Sequence, residues 1–155
     1  MKRIMLFSMI IFIIDQIVKL FVGFSLDLNT SITVFNNFFY ISNVHNYGAA
    51  FSILYGNRIF LVLVSVITLV LVYYFLLKNK KFSWFNIIFY SLLIGGILGN
   101  LFDRIIYGYV VDYLDFYIFG YNFPIFNVAD MCIVVAVILA MIDIIRSEND
   151  EVRGK

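Results

Sequence analysis

Charge is what this chain has least of. Of its 155 residues only 14% are charged, while 63% are hydrophobic. That is too few ionised side chains to coat a soluble domain of this size, so a bilayer must supply the missing solvent. Cysteine occurs once, at Cys132 inside an apolar run; this excludes a disulfide framework and says nothing about redox compartment. Histidine also occurs once, at His45, too little for a histidine-based metal centre. Neither a metal nor an organic cofactor is expected. A net charge of +1, with no basic run interleaved with aromatics, gives no sign of nucleic acid as a partner. Low-complexity segments and internal repeats are absent too.

What is present is hydrocarbon in long runs. Four runs, near 4–24, 59–77, 84–106 and 125–145, reach the roughly 20 residues that cross a bilayer as a helix. The fold class read from this is a mainly α membrane protein: one integral-membrane domain of four transmembrane helices with a small β-rich extracytoplasmic subdomain. Lys2 and Arg3 precede the first run, Lys78, Lys80 and Lys81 separate the second from the third, and Arg146, Arg153 and Lys155 follow the fourth. The positive-inside rule then places both termini and the 78–83 loop in the cytoplasm, with 25–58 and 107–124 outside. The first run has the basic start of a signal peptide, but Asp15 and Lys19 interrupt its core and no small-residue cleavage site follows, so it reads as a retained helix.

Polar residues inside these runs carry the information. Asp15 and Lys19 share one helix face, and Asp15 lies about 16 Å along the helix, near mid-membrane. An unpaired charge there costs roughly 2.5–3.5 kcal/mol; a structural ion pair and a direct substrate contact both fit. In the outer loop, Ile32–Phe35 and Phe38–Ile41 flank Asn36-Asn37 and predict a hairpin on the membrane surface. Asn46, with donors and an acceptor, and Gly48 then lead through Ala50 to Ser52, either as a turn into a short interfacial helix or as part of a site. The second run has no charge and reads as an anchor. In the third, Gly95 and Gly99 form a small-residue face for close helix contact, and Asn100, Asp103 and Arg104 follow on one face, with Asp103 and Arg104 as a local pair. Tyr109–Tyr113 has strand character. Phe123-Pro124 sets up the fourth helix, from whose first turns Asn127 and Asp130 look the same way; Asp143 and Arg146 at its far end read as a solvated pair.

Two carboxylates confined together cannot both ionise, so their proton affinities split. One takes a proton from water while the other donates to a carbonyl oxygen, which is peptidase chemistry without metal or covalent intermediate. Asp112 and Asp130 suit this from a strand and a facing helix, but composition alone does not select them: Asp15, Asp103 and Asp115 are also available. A small proton- or cation-coupled membrane carrier using Asp15, Asp103 and Asp130 competes with that reading. So does a structural partner that binds through Gly95–Gly99, and, more distantly, a metal hydrolase built on His45 and two aspartates.

Five blocks occur in order: Asp15-Gln-Ile-Val-Lys19, Asn46-Tyr-Gly48-Ala-Ala-Phe51-Ser, Gly99-Asn100-Leu-Phe-Asp103-Arg104, Val110-Val111-Asp112-Tyr113 and Phe126-Asn127-Val-Ala129-Asp130. Together with four spans they resemble the bacterial lipoprotein signal peptidase family, signal peptidase II. The resemblance implies an aspartic endopeptidase of the bacterial cytoplasmic (inner) membrane, with its site at the outer face. It implies cleavage of diacylglyceryl-modified prolipoproteins just before the lipidated cysteine, and inhibition by the peptide antibiotic globomycin. It implies Asp112 and Asp130 as catalytic residues, supported by Asp15, Lys19, Asn46, Gly48, Asn100, Asp103, Arg104, Asn127 and Ala129. Asp115 is the competitor that chemistry alone does not remove.

Overall fold

The computed structural model describes residues 1–49, 53–78 and 82–153. In chain order the elements are α1 (Lys2–Ser25), β1 (Ser31–Phe35), β2 (Phe39–Asn46), α2 (Arg58–Lys78), α3 (Trp84–Ile106), β3 (Val110–Ile118), β4 (Tyr121–Asn122) and α4 (Val128–Arg153). All four helices are long and apolar enough to cross a membrane. Their outward faces keep side chains such as Phe21 and Ile59 largely uncovered, as hydrocarbon solvent permits.

Helix α3 is central, packing against α1, α2 and α4. Its glycines make this possible. A Cβ on Gly95 would stand 2.8 Å from Ile11 of α1, and one on Gly99 would overlap the Asp15 carboxylate. Gly96, which the small-residue pattern did not single out, faces the other way, against the Ala129 carbonyl of α4. One end of the bundle is closed by Ile4, Val72, Leu76 and Ile87. There Arg3 lies over the Trp84 ring and Arg146 over Phe85. The expected Asp143–Arg146 pair is replaced: Asp143 accepts from Asn86 at 3.1 Å, because Asn86, in the capping box that starts α3, offers its amide to the last helix.

The other end carries an antiparallel sheet in the order β1-β2-β3-β4. The predicted hairpin is present, with Phe35 opposite Phe39 and Asn37 in the left-handed region at φ 58°, where asparagine is tolerated. Strand β2 runs on to Asn46 and pairs with β3, setting Val44 opposite Asp112 and Asn46 opposite Val110. A bulge at Ser42 and Asn43 shifts the register between these pairs and the Ile41–Leu114 pair. Residues 50–52, which complete the Gly48–Ser52 segment, and the loop and terminal lysines Lys80, Lys81 and Lys155 lie outside the described residues.

The fourth helix starts at Val128 rather than 125. Phe126 spends both backbone groups on β3: its carbonyl accepts from Leu114 at 2.8 Å and its N–H donates back at 3.2 Å. A residue paired to a strand cannot also enter a helix, so the helix waits until Asn127 has capped it. Asp130 is therefore only its third residue, about 3 Å below the start.

Candidate active site

Asparagines hold the two carboxylates. Asn127 caps α4 reciprocally: its side-chain oxygen accepts the Asp130 N–H at 2.9 Å, while its own N–H donates to Asp130 Oδ2 at 3.2 Å. This is a capping box with aspartate at the third position. The Asn127 side-chain amide, turned the opposite way, donates to Asp112 Oδ1 at 2.7 Å. One residue thus ties both acids together, and it is completely buried.

The remaining oxygens are each met by an amide whose orientation is fixed from behind. Asn46 donates to Asp112 Oδ2 at 2.8 Å, and its oxygen accepts the Gly48 N–H at 2.8 Å. Asn100 donates to Asp130 Oδ1 at 2.7 Å, and its oxygen accepts from the Lys19 ammonium at 2.9 Å. An amide that accepts from a cation on one side has to present its N–H₂ on the other.

That ammonium is shared. Lys19 also pairs with Asp15 and Asp103, each at 2.8 Å, and all three groups are buried. Asp103 is consequently not the partner of Arg104. The guanidinium turns away to the Gly48 carbonyl at 2.9 Å and lines the cavity above the acids. Asp15 uses its second oxygen to accept the Ala129 N–H at 3.0 Å.

Burial pushes the Asp112 carboxyl up to about 7; the Asp130 charge adds to this, and the bonds from Asn46 and Asn127 oppose it. Desolvation disfavours the charged form most in such a place. Both acids open on a cavity of about 620 Å³ whose lower wall is Met131, Val134 and Val135 of α4. A second cavity of about 400 Å³ shares Asp112 and continues past Tyr47 and Tyr121.

Every residue singled out from the sequence in this region joins one network, apart from two. Asp115 is buried but bonds instead to Ser42, at 2.9 Å, which itself contacts Ser31. His45 stacks on the Tyr109 ring at 3.6 Å, and among the described residues no three metal-ligating side chains cluster. Two participants were missed. Gln16 donates to Asp103 Oδ1 at 2.9 Å; it stands inside the first block, one residue from Asp15, and that adjacency was the available signal. The Tyr113 hydroxyl accepts the Val128 N–H at 3.2 Å; it closes the fourth block, beside Asp112, which was again the available signal.

A model of the family described as signal peptidase (SPase) II matches residues 7–146. The chain is 36% identical over 146 residues to proteins named lipoprotein signal peptidase from Staphylococcus aureus strains JH9 and Newman, spanning 94% of this chain and 90% of each relative. Two solved structures are similar, each described as a bacterial membrane enzyme structure by the in meso method. One, at 2.3 Å resolution, superposes with a TM-score of 0.89 at 35% identity, covering 97% of this chain and 92% of its own. The other, at 1.9 Å, gives 0.83 at 36% identity, covering 93% of both chains.

Proposed function

This chain belongs to the signal peptidase II family and is a peptidase, and we propose that it is an aspartic endopeptidase removing signal peptides from diacylglyceryl-modified bacterial prolipoproteins just before the lipidated cysteine. The observation that carries the aspartic assignment is Asn127, which donates to Asp112 and, through its backbone, to Asp130. A residue so placed holds two acids at one reaction centre.

The chemistry follows from how each acid is held. Asp112, with a proton affinity near neutrality, gives its proton to the scissile carbonyl oxygen and recovers it from the tetrahedral diol as the amine leaves, protonated by the proton that Asp130 took from water. Asp130 accepts a backbone N–H at a helix start, where the helix dipole favours an anion, and takes the proton of the attacking water. The pair titrates as a unit, so its apparent values belong to both groups. Asn46, Asn100 and Arg104 fix the carboxylates and the Gly48 backbone around the scissile peptide. The substrate's acyl chains and signal segment lie along the apolar α4 wall, and the mature chain leaves through the cavity beside Tyr47.

The site faces the outside of the cytoplasmic membrane, with both termini cytoplasmic. Arg3, Lys78 and Arg146 all follow or precede spans at the end away from the sheet, in keeping with positive-inside placement. Globomycin, as a cyclic peptide, occupies the same cavity. A carrier would need Asp15 and Asp103 free to relay protons, and both are engaged by Lys19.

The test uses the purified chain with one prolipoprotein in lipidated and unlipidated forms. The lipidated form is cut before its modified cysteine and globomycin blocks the reaction; cutting of neither form, or of both equally, overturns the reading.

A further inference from the structure

A third cavity, of about 470 Å³, lies on the opposite face of the sheet from the paired acids. Side chains alternate across a strand, so Asn46 and Asp112 line the reaction cavity while their neighbours His45 and Val111 line this one. Its floor is Lys19 and Asp103, its wall includes Tyr107 and Tyr109, and Asp27 is at its edge. The cavity opens along α1, where Leu20 is 47% and Phe24 86% exposed. Between them Gly23 leaves open space, since a Cβ there would meet nothing within 4 Å.

This shape joins a lipid-facing groove to a polar end, and the charges choose the head. The Lys19 ammonium is already engaged by Asp15, Asp103 and Asn100. Asp103 on the floor is buried with its oxygens on Lys19 and Gln16, so the exposed Asp27 at the edge is the carboxylate left to meet a ligand. Burial lowers the proton affinity of His45, which disfavours a charged ring at this wall. The Tyr107 and Tyr109 rings stack at 6.0 Å and His45 continues the stack at 3.6 Å. Aromatic faces beside a carboxylate attract an ammonium group and give nothing to an added anion.

We propose that this cavity binds a phospholipid with an ammonium headgroup, its acyl chain lying over Gly23 and its head between Asp27 and the Tyr107–Tyr109 wall. The bound lipid would lie over the Lys19–Asp103 floor, against the buried cluster that orients Asn100 and, through it, Asp130.

The full chain, purified in detergent, is offered equal amounts of dioleoyl phosphatidylethanolamine and dioleoyl phosphatidylglycerol, and retained lipid is counted by native mass spectrometry. The expected result is one retained phosphatidylethanolamine, preferred roughly tenfold. Asp27→Lys abolishes the preference, and Gly23→Trp, which grows into open space, lowers retention of both lipids. Equal retention of the two lipids by the unmodified chain overturns the proposal, as does a preference that survives Asp27→Lys or retention untouched by Gly23→Trp. The comparison of lipids on the unmodified chain needs no variant, so it decides the matter even where a substitution disturbs folding.

Discussion

The Asp15 carboxylate of α1 accepts the backbone N–H of Ala129, the second residue of α4, at 3.0 Å. Both residues are completely buried. The first N–H groups of a helix have no partner within it, and this one is met by a charge from the first helix of the chain. The bond sets α4 against α1 one residue before Asp130. Gly96 and Gly99 let α3 lie close enough for it to form, since any larger residue would meet the Ala129 carbonyl or the Asp15 carboxylate.

Lys19→Met tests this arrangement. It leaves Asp15 and Asp103 buried without their cation, at a cost of about 3–5 kcal/mol. The expected outcome is loss of folded protein, read as yield and thermal unfolding in detergent. A variant that melts like the parent and cleaves normally would remove the pair from any supporting role.

Asp112→Asn and Asp130→Asn should each lower cleavage of a lipidated prolipoprotein by roughly 10³-fold or more while the protein still folds, since each removes a proposed general acid or base. Asp115→Asn should keep most activity, because its bond runs to Ser42. Equal losses for Asp115→Asn and Asp112→Asn contradict the assignment.

Asn127→Ala removes a helix cap and the tie between the acids together. The cap alone is worth about 1 kcal/mol, a small change in melting. Activity should fall by roughly 10²-fold, as expected when an acid–base pair loses its alignment. Unaltered turnover with lowered stability would make Asn127 a cap and nothing more.

Gly99→Ala should destabilise by about 1–3 kcal/mol, an overpacking cost, because its Cβ overlaps Asp15 and comes within 3.3 Å of the Ala129 Cβ. Gly23→Ala, with open space around it, is the matched control. Equal melting of the two variants would show that the helices separate without cost.

The pH dependence follows from Asp112. Its value rises from the ordinary 3.8 to about 7, so the folded chain binds this proton more tightly than the unfolded chain. Stability therefore decreases as pH rises between those values, on the order of 4 kcal/mol in all. Asp112→Asn should flatten the slope of melting temperature against pH in that window. The alkaline limb of kcat/KM should fall with an apparent pKa near 7, where the donor loses its proton; a profile flat above neutrality would assign the proton elsewhere.

Much of the site was legible because membrane chemistry makes it so. Against hydrocarbon, each polar residue stands out, and Asp15, Lys19, Asn100, Asp103, Asn127 and Asp130 were visible for that reason. Their pairings were not. Asp103 and Arg104 are sequence neighbours of opposite charge, yet consecutive residues on a helix point about 100° apart. Asp103 faces α1 and Lys19, while Arg104 faces the Gly48 backbone. The start of α4 was misplaced for a related reason: Phe126 is apolar like the helix after it, and only the nearby β3 edge draws it out.

Composition and hydrophobic run length determined by themselves that this chain crosses a membrane four times, since the length of an apolar helix is matched to a bilayer whatever its neighbours do. The order of short polar blocks determined its family. Which amide faces which carboxylate, which glycine meets which helix, and which of the acids form a pair were decided only by the fold. Those are contacts between residues as much as 114 positions apart, and their directions follow from how α1, α3, α4 and the sheet pack, which local sequence does not encode.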